Sequence, residues 1–320
     1  MDTSYVIATD GLTKRYGEGI VAVDKLALRV KRGEVYGFLG PNGAGKTTTL
    51  RMLLGLIRPT SGTARVLGHA PGDAAGLRRL GAMVETPAFY PYLSGRDNLK
   101  VLARYAGVDE GRIAPALAQV DLSKRGDDTF GTYSLGMKQR LGVAATLLKD
   151  PELLILDEPT NGLDPAGMAE MRDLIRSLGR GNRTVLLSSH LMTEVEQICD
   201  RAGVISGGRL VAEGTVAELR GRDHLRLRAE PLDAAYRLVA GLHGVERVEI
   251  TGDTLRIAAD PTHAACINRA LVEAEIAVSE LAREQASLES IFLGLTNHNG
   301  NGNGPSGGHA TREIGGMSHV

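Results

Sequence analysis

The chain has 320 residues, 42% of them hydrophobic, enough for one large core or two smaller ones. Its net charge is −1 with both signs interspersed, which excludes a nucleic-acid binder that works by bulk electrostatics. Cys199 and Cys266 stand far apart in unrelated contexts, so they form neither a disulfide framework nor a metal-ligand spacing and read as buried thiols of a reducing compartment. The first residues carry no signal-peptide pattern, and no apolar run reaches the roughly 20 residues that span a bilayer. A soluble, cytoplasmic chain is expected.

Residues 5–12 and 20–30 alternate apolar and polar around Gly17, Glu18 and Gly19, which predicts an antiparallel ribbon. Tyr16 ends the polar stretch between them and reads equally as a base-stacking aromatic or an ordinary cross-strand tyrosine. The apolar run 35–39 leads into Gly40, Pro41, Asn42, Gly43, Ala44, Gly45, Lys46, Thr47 and Thr48, and a helical pattern occupies 48–57. Strand, glycine-rich loop and helix in that order make a phosphate cradle. Gly40, Gly43 and Gly45 let backbone N–H groups converge on a polyphosphate. Lys46 then neutralises the β- and γ-phosphates, and the Thr47 hydroxyl holds Mg²⁺.

A short strand is predicted over 60–67, followed by an apolar and then aromatic stretch over 80–93. Phe89, Tyr90 and Tyr92 crowd one loop although aromatics make up only 4% of the chain, so the cluster is a small core or a docking surface. Helical periodicity over 96–106 and 110–120, with a polar loop over 121–131, predicts a helical insert. Ser134 opens a helix through 149; it reads first as an N-cap, and Gly136 leaves open a second phosphate-facing helix terminus.

Residues 153–156 are continuously apolar and end in Asp157 and Glu158, the pattern of a central parallel strand delivering carboxylates to its C-terminal edge. Asp157 would hold Mg²⁺, mostly through water, and Glu158 would orient or deprotonate the attacking water. A further buried strand over 184–189 ends at His190, either a structural histidine or a contact to the γ-phosphate from the same edge. From 224 onward the texture changes to a β-α-β-β-α-β order with a final amphipathic helix over 287–295, a ferredoxin-like pattern without a glycine loop or acid pair. Beyond Thr296 the tail is rich in Asn, Gly and Ser and is expected to be disordered.

Over residues 6–219 the chain resembles the ATP-binding subunit of an ABC transporter. Tyr16 matches the aromatic that stacks on adenine, 40–47 the Walker A loop, and 153–157 with Glu158 the Walker B strand and catalytic base. Gly162, Leu163 and Asp164 match the D-loop, and His190 the switch histidine. Tyr133, Ser134, Leu135, Gly136 and Met137 stand where the LSGGQ signature belongs, without its first glycine and its glutamine. Glu85 stands at the Q-loop glutamine and would share Mg²⁺ with Thr47 and Asp157. The Glu85 spelling and the signature are similar to exporter ATPases of the bacitracin-resistance and lantibiotic-immunity type. Residues 287–296 are similar to the ending of daunorubicin-type multidrug exporters.

The resemblance implies an α/β P-loop NTPase core with an antiparallel β subdomain and a helical subdomain, plus a small α+β (ferredoxin-like) C-terminal domain. The boundaries expected are 1–221 for the ATPase, with its helical part at about 86–150, then 222–296 for the accessory domain and 297–320 for the tail. It further implies ATP and Mg²⁺ as ligands and a head-to-tail homodimer in which Ser134 and Gly136 meet the other subunit's ATP. Separate permease subunits would hold the chain to the inner face of the membrane, with no nucleic acid expected. The function expected is ATP hydrolysis that powers export of a drug, antibiotic peptide or lipid-like compound. The alternatives are an importer ATPase or a soluble ABC ATPase of ribosomes or DNA.

Overall fold

A computed structural model describes residues 4–17, 19–85, 88–181, 183–220 and 223–284, together with residue 288. The expected terminal helix over 287–295, apart from Leu288, and the expected tail lie outside the described residues. The first sheet joins β1 (Tyr5–Tyr16), β2 (Ile20–Leu26), β3 (Arg29–Lys31) and, after the phosphate-loop segment, β5 (Ser61–Val66), all antiparallel to β1. The second sheet holds β4 (Val35–Leu39), β6 (Leu80–Met83), β7 (Leu153–Asp157), β8 (Thr184–Ser189), β9 (Arg201–Ser206) and β10 (Arg209–Thr215). Its order is β10-β9-β4-β8-β7-β6, and every pair is parallel except β9 with β10.

The helices in chain order are α1 (Lys46–Leu53), α2 (Ala74–Arg78), α3 (Gly95–Ala106), α4 (Ile113–Gln119), α5 (Leu135–Leu147), α6 (Pro165–Leu178), α7 (Met192–Ile198) and α8 (Val216–Arg220). The remaining elements are β11 (His224–Glu230), α9 (Leu232–Ala240), β12 (Val245–Thr251), β13 (Thr254–Ala259), α10 (Ala264–Glu273) and β14 (Ala277–Glu284).

Strands β4, β7 and β8 are buried along their whole length, with apolar interiors, because both faces of the parallel sheet are covered. The period of two divides them between two cores. Leu154 and Leu156 pack with Leu99, Leu117, Leu141 and Phe130 on the helical side. Leu153 and Ile155 pack with Val6, Ile7, Leu12 and Leu50 towards the antiparallel sheet. A third core, built on Leu225, Leu227, Leu255, Ile257, Ile267 and Leu271, belongs to the last four strands, whose antiparallel order is β12-β13-β11-β14.

Three expected elements differ in detail. The run 20–30 splits into β2 and β3 because the buried Thr9 hydroxyl enters the ladder, donating to Leu26 O at 2.9 Å and accepting from Leu28 N at 2.8 Å. Helix α1 stops at Leu53, four residues early, where Gly55 turns left-handed at φ 74°. The run 110–120 begins as a 3₁₀ turn (Glu110–Arg112) and becomes α4 only at Ile113, which leaves Pro115 in the first turn, where its missing N–H costs nothing. The expectation of two buried thiols holds poorly: Cys266 is exposed, because α10 turns it away from the third core.

At the N-terminal edge of the parallel sheet, Glu152 gathers three strands by charge. Its carboxylate accepts from Arg79 Nε at 2.5 Å and Arg79 Nη2 at 2.8 Å, and from Arg32 Nη1 at 2.7 Å. The hydrogen bonds from Arg79 and then Arg32 hold its pKa down at about 2. A carboxylate depressed in the folded state stabilises above its ordinary pKa, and that contribution is lost as pH falls towards the folded value. Glu152→Gln is therefore less stable than the parent at neutral pH, and the gap narrows from about pH 4.5 downward. The side chain is 38% exposed, so solvent screening keeps the gap small. Urea denaturation across this range checks it; a gap that does not change with pH overturns the assignment.

Candidate functional site

Strand β4 ends at Leu39 in the middle of the parallel sheet, and the chain turns through 40–45 into α1. The turn needs glycine. Gly43 and Gly45 have φ of 79° and 106°, and a Cβ on Gly45 would lie 2.3 Å from Ala22 O. A Cβ on Gly40 would lie 2.4 Å from Ile205 O. Pro41, Asn42 and Gly43 are exposed at the crest of the loop, while Ala44, Gly45 and Lys46 are buried and Thr47 and Thr48 half-buried. Lys46, only 6% exposed, folds across the loop and donates to Gly40 O at 2.7 Å and Pro41 O at 3.3 Å.

The neighbouring strand ends bring acids and a histidine to this lysine. Asp157 closes β7 and accepts from Thr47 Oγ1 at 2.8 Å through Oδ2, while Ser188 Oγ of β8 donates to its Oδ1. Glu158 follows with a left-handed φ of 48°, a strained conformation for a side-chain-bearing residue, fixed by its N–H donating to Ser188 O at 3.2 Å. The carboxylate of Glu158 then bridges two groups. Its Oε1 lies 3.1 Å from Lys46 Nζ without hydrogen-bond alignment, so that contact is an ion pair only. Its Oε2 lies 2.7 Å from His190 Nδ1. Lys46, Thr47, Asp157, Glu158 and His190 thus converge at one sheet edge, together with Ser188, which sequence reasoning passed over. Two adjacent serines closing an apolar run at the ligand-facing strand end were the available signal.

Other expected residues stand apart. Tyr16 ends β1 with 41% exposure, its ring under Lys14 Nζ at 5.1 Å. Ser134 caps α5 and accepts from Met137 N at 3.3 Å, and a Cβ placed on the half-buried Gly136 would meet Leu163 Cδ2 and Ser134 Oγ at 4.0 Å. Asp164 likewise caps α6, accepting from Gly167 N at 3.1 Å. Ser134 and Asp164 thus present their side-chain oxygens to their own helices. Glu85 pairs with Arg51 of α1 rather than with Thr47 or Asp157, and its own backbone is left-handed at φ 70°. The aromatic loop divides. Phe89 packs edge-on against Phe130 at 5.1 Å, whereas Tyr90 and Tyr92 are 47% and 73% exposed. Buried Asn98 holds that loop, accepting from Tyr90 N at 2.8 Å and donating to Tyr90 O and Ser94 O.

The donor set suits Mg²⁺. Thr47 and Asp157 offer a hydroxyl and a carboxylate, hard oxygen ligands, and among the described residues no cage of three His, Cys, Asp or Glu exists. Mg²⁺ usually takes one or two protein ligands and completes its shell with phosphate and water. Among the described residues no helix is long and apolar enough to cross a membrane.

Comparisons with known proteins give the family of the chain. The family model described as ABC transporter matches residues 23–161. The bacitracin transport ATP-binding protein BcrA of Bacillus licheniformis is 42% identical, covering 91% of this chain and 97% of its own. The daunorubicin resistance ATP-binding protein DrrA3 of Streptomyces coeruleorubidus is 41% identical, covering 91% and 95%. A solved structure described as the ATP binding subunit of an ABC transporter superposes with a TM-score of 0.60 at 29% identity, over 67% of this chain and 92% of that one. The fold, the phosphate loop and this likeness along nearly the whole length lead to one conclusion: the chain belongs to the ABC transporter family, as one of its ATP-binding, ATP-hydrolysing proteins.

Proposed function

We propose that two copies of this chain close head to tail on two ATP molecules, and that the closing drives a separate membrane permease that exports a drug, antibiotic peptide or lipid-like compound. The reading rests on one juxtaposition: Glu158 held between Lys46 and His190, beside the Thr47–Asp157 pair. The export substrate is supported by relatives named for bacitracin transport and daunorubicin resistance. Residues 1–221 are the catalytic unit and 222–296 the accessory unit, in keeping with the separate third core.

Each residue then has a task. Backbone N–H groups between 42 and 48 cradle the phosphates, and Lys46 binds the β- and γ-phosphates. Thr47 and Asp157, with Glu85 once released from Arg51, hold Mg²⁺, which when bound neutralises charge on the phosphates. An arriving γ-phosphate competes with Glu158 for Lys46. The freed carboxylate accepts a proton from the attacking water, and His190 holds Glu158 Oε2 in place. Tyr16 stacks on adenine. Ser134 and Gly136 of the second copy meet the γ-phosphate across the interface, and Asp164 reports on it from the same face. Exposed Tyr90 and Tyr92 dock the permease, which keeps the chain at the inner face of the membrane.

Glu158→Gln keeps the shape of the side chain and removes the base. ATP turnover is expected to fall about 10²-fold or more, with an ATP-dependent dimer persisting in light scattering. Turnover near the parent rate, or a monomer at saturating ATP, counts against this assignment. Tyr90→Ala is expected to leave the ATPase of the isolated chain within about twofold while weakening co-purification with a co-expressed permease subunit. Undiminished co-purification refutes the docking site.

A further inference from the structure

Glu194 is a buried carboxylate to which the scheme above gives no task. It lies in α7, directly after the His190 segment, and is only 2% exposed. Its Oε2 accepts two hydrogen bonds, from Thr160 Oγ1 at 2.7 Å and from Ser189 Oγ at 3.1 Å. Its Oε1 is buried with no hydrogen-bond partner. A carboxylate in such surroundings is costly to bury, so its benefit must come from what it holds.

What it holds are the carriers of the proposed base and its histidine. Thr160 comes two residues after Glu158, and Ser189 immediately before His190. Both hydroxyls meet on a single oxygen, so the turn leaving β7 and the end of β8 are tied through α7. The tie reaches further on each side. Ser189 O accepts from Gly40 N at 3.3 Å at the start of the phosphate loop, and Thr160 O accepts from Leu163 N at 3.2 Å in the turn towards Asp164. Helix α7 has little room to shift, because it packs directly on Gly37 of β4, where a Cβ would come within 2.5 Å of Val195 Cγ1. The Glu194 side chain therefore projects from a fixed platform.

We propose that Glu194 is a positioning residue that sets the alignment of Glu158 with His190 by gathering Thr160 and Ser189. The inference rests on the roles proposed above for those two residues. Lys46 and Thr47 make no contact with Glu194, and the bond from Gly40 N to Ser189 O uses backbone groups rather than the hydroxyls, so removing a hydroxyl from the tie is expected to lower turnover more than ATP affinity. Displacing a reacting group by about 1 Å can cost about 10²-fold in rate, so a partial loosening should cost about tenfold.

The test uses the purified full chain. Thr160→Val keeps the side-chain shape and removes the hydroxyl, whereas Thr160→Ser keeps the hydroxyl. Thr160→Val is expected to lower kcat about tenfold with KM for ATP within about twofold, and Thr160→Ser to stay within about twofold of the parent in both. The other end of the tie is read by Glu194→Gln, which keeps an acceptor oxygen and should retain more kcat than Glu194→Ala. The positioning role is overturned if Thr160→Val and Thr160→Ser turn over alike, or if kcat and affinity fall together. Glu158→Gln measured alongside separates the two claims. Undiminished turnover there unseats the base, whereas the tie is judged on the valine–serine comparison.

Discussion

The parallel pairing of β4, β7 and β8 sets where every reactive group sits. These strands run side by side, with Leu39 opposite Ser189 and Asp157 opposite Ser188. Their apolar runs are buried on both faces, and a slip of one residue would exchange the two cores and expose neither face to water safely. With the register so constrained, the phosphate loop, the acids and His190 leave the sheet at one edge. In open parallel sheets that edge is where ligands bind.

Electrostatics at that edge follows from burial. Lys46 has almost no contact with water and would be costly to hold there without partners. It has two carbonyls and one carboxylate, and the carboxylate reaches it from a residue whose backbone is strained. His190 on the other oxygen and the Ser188 carbonyl on the amide keep that strained residue in place. The same lysine thus organises the loop through the carbonyls of Gly40 and Pro41 and restrains the acid opposite. In the proposed reading, a triphosphate entering the site would meet a positive charge already desolvated.

Ser134 and Asp164 show a different economy. Each caps its own helix, a contribution of about 1 kcal/mol that alanine would forfeit whether or not a second subunit is present. Loss of activity on such a substitution therefore mixes a cap effect with any effect across the interface. Gly136 supplies no capping side chain, and a Cβ there would meet Leu163 Cδ2 and Ser134 Oγ only at 4.0 Å, so a change there removes no capping group.

Much was legible in the chain itself. Local patterns decide the glycine loop, the apolar runs of β7 and β8, and the β-α-β-β-α-β order after 224, because periodicity and turn chemistry act over a few residues. The spelling of the phosphate loop with Asp157 and Glu158 also named the chemistry. Tertiary structure alone decided which groups touch. Nothing in the local sequence says that Thr9 splits a strand by entering its ladder, that Glu85 is taken by Arg51, or that Phe89 goes inward while Tyr90 and Tyr92 stay out. The pairing of Lys46 with Glu158, 112 positions apart, and the seat of Glu194 under Thr160 and Ser189 depend on strand order and helix packing. Those are set by the burial of long-range apolar surface, which no window of neighbouring residues contains.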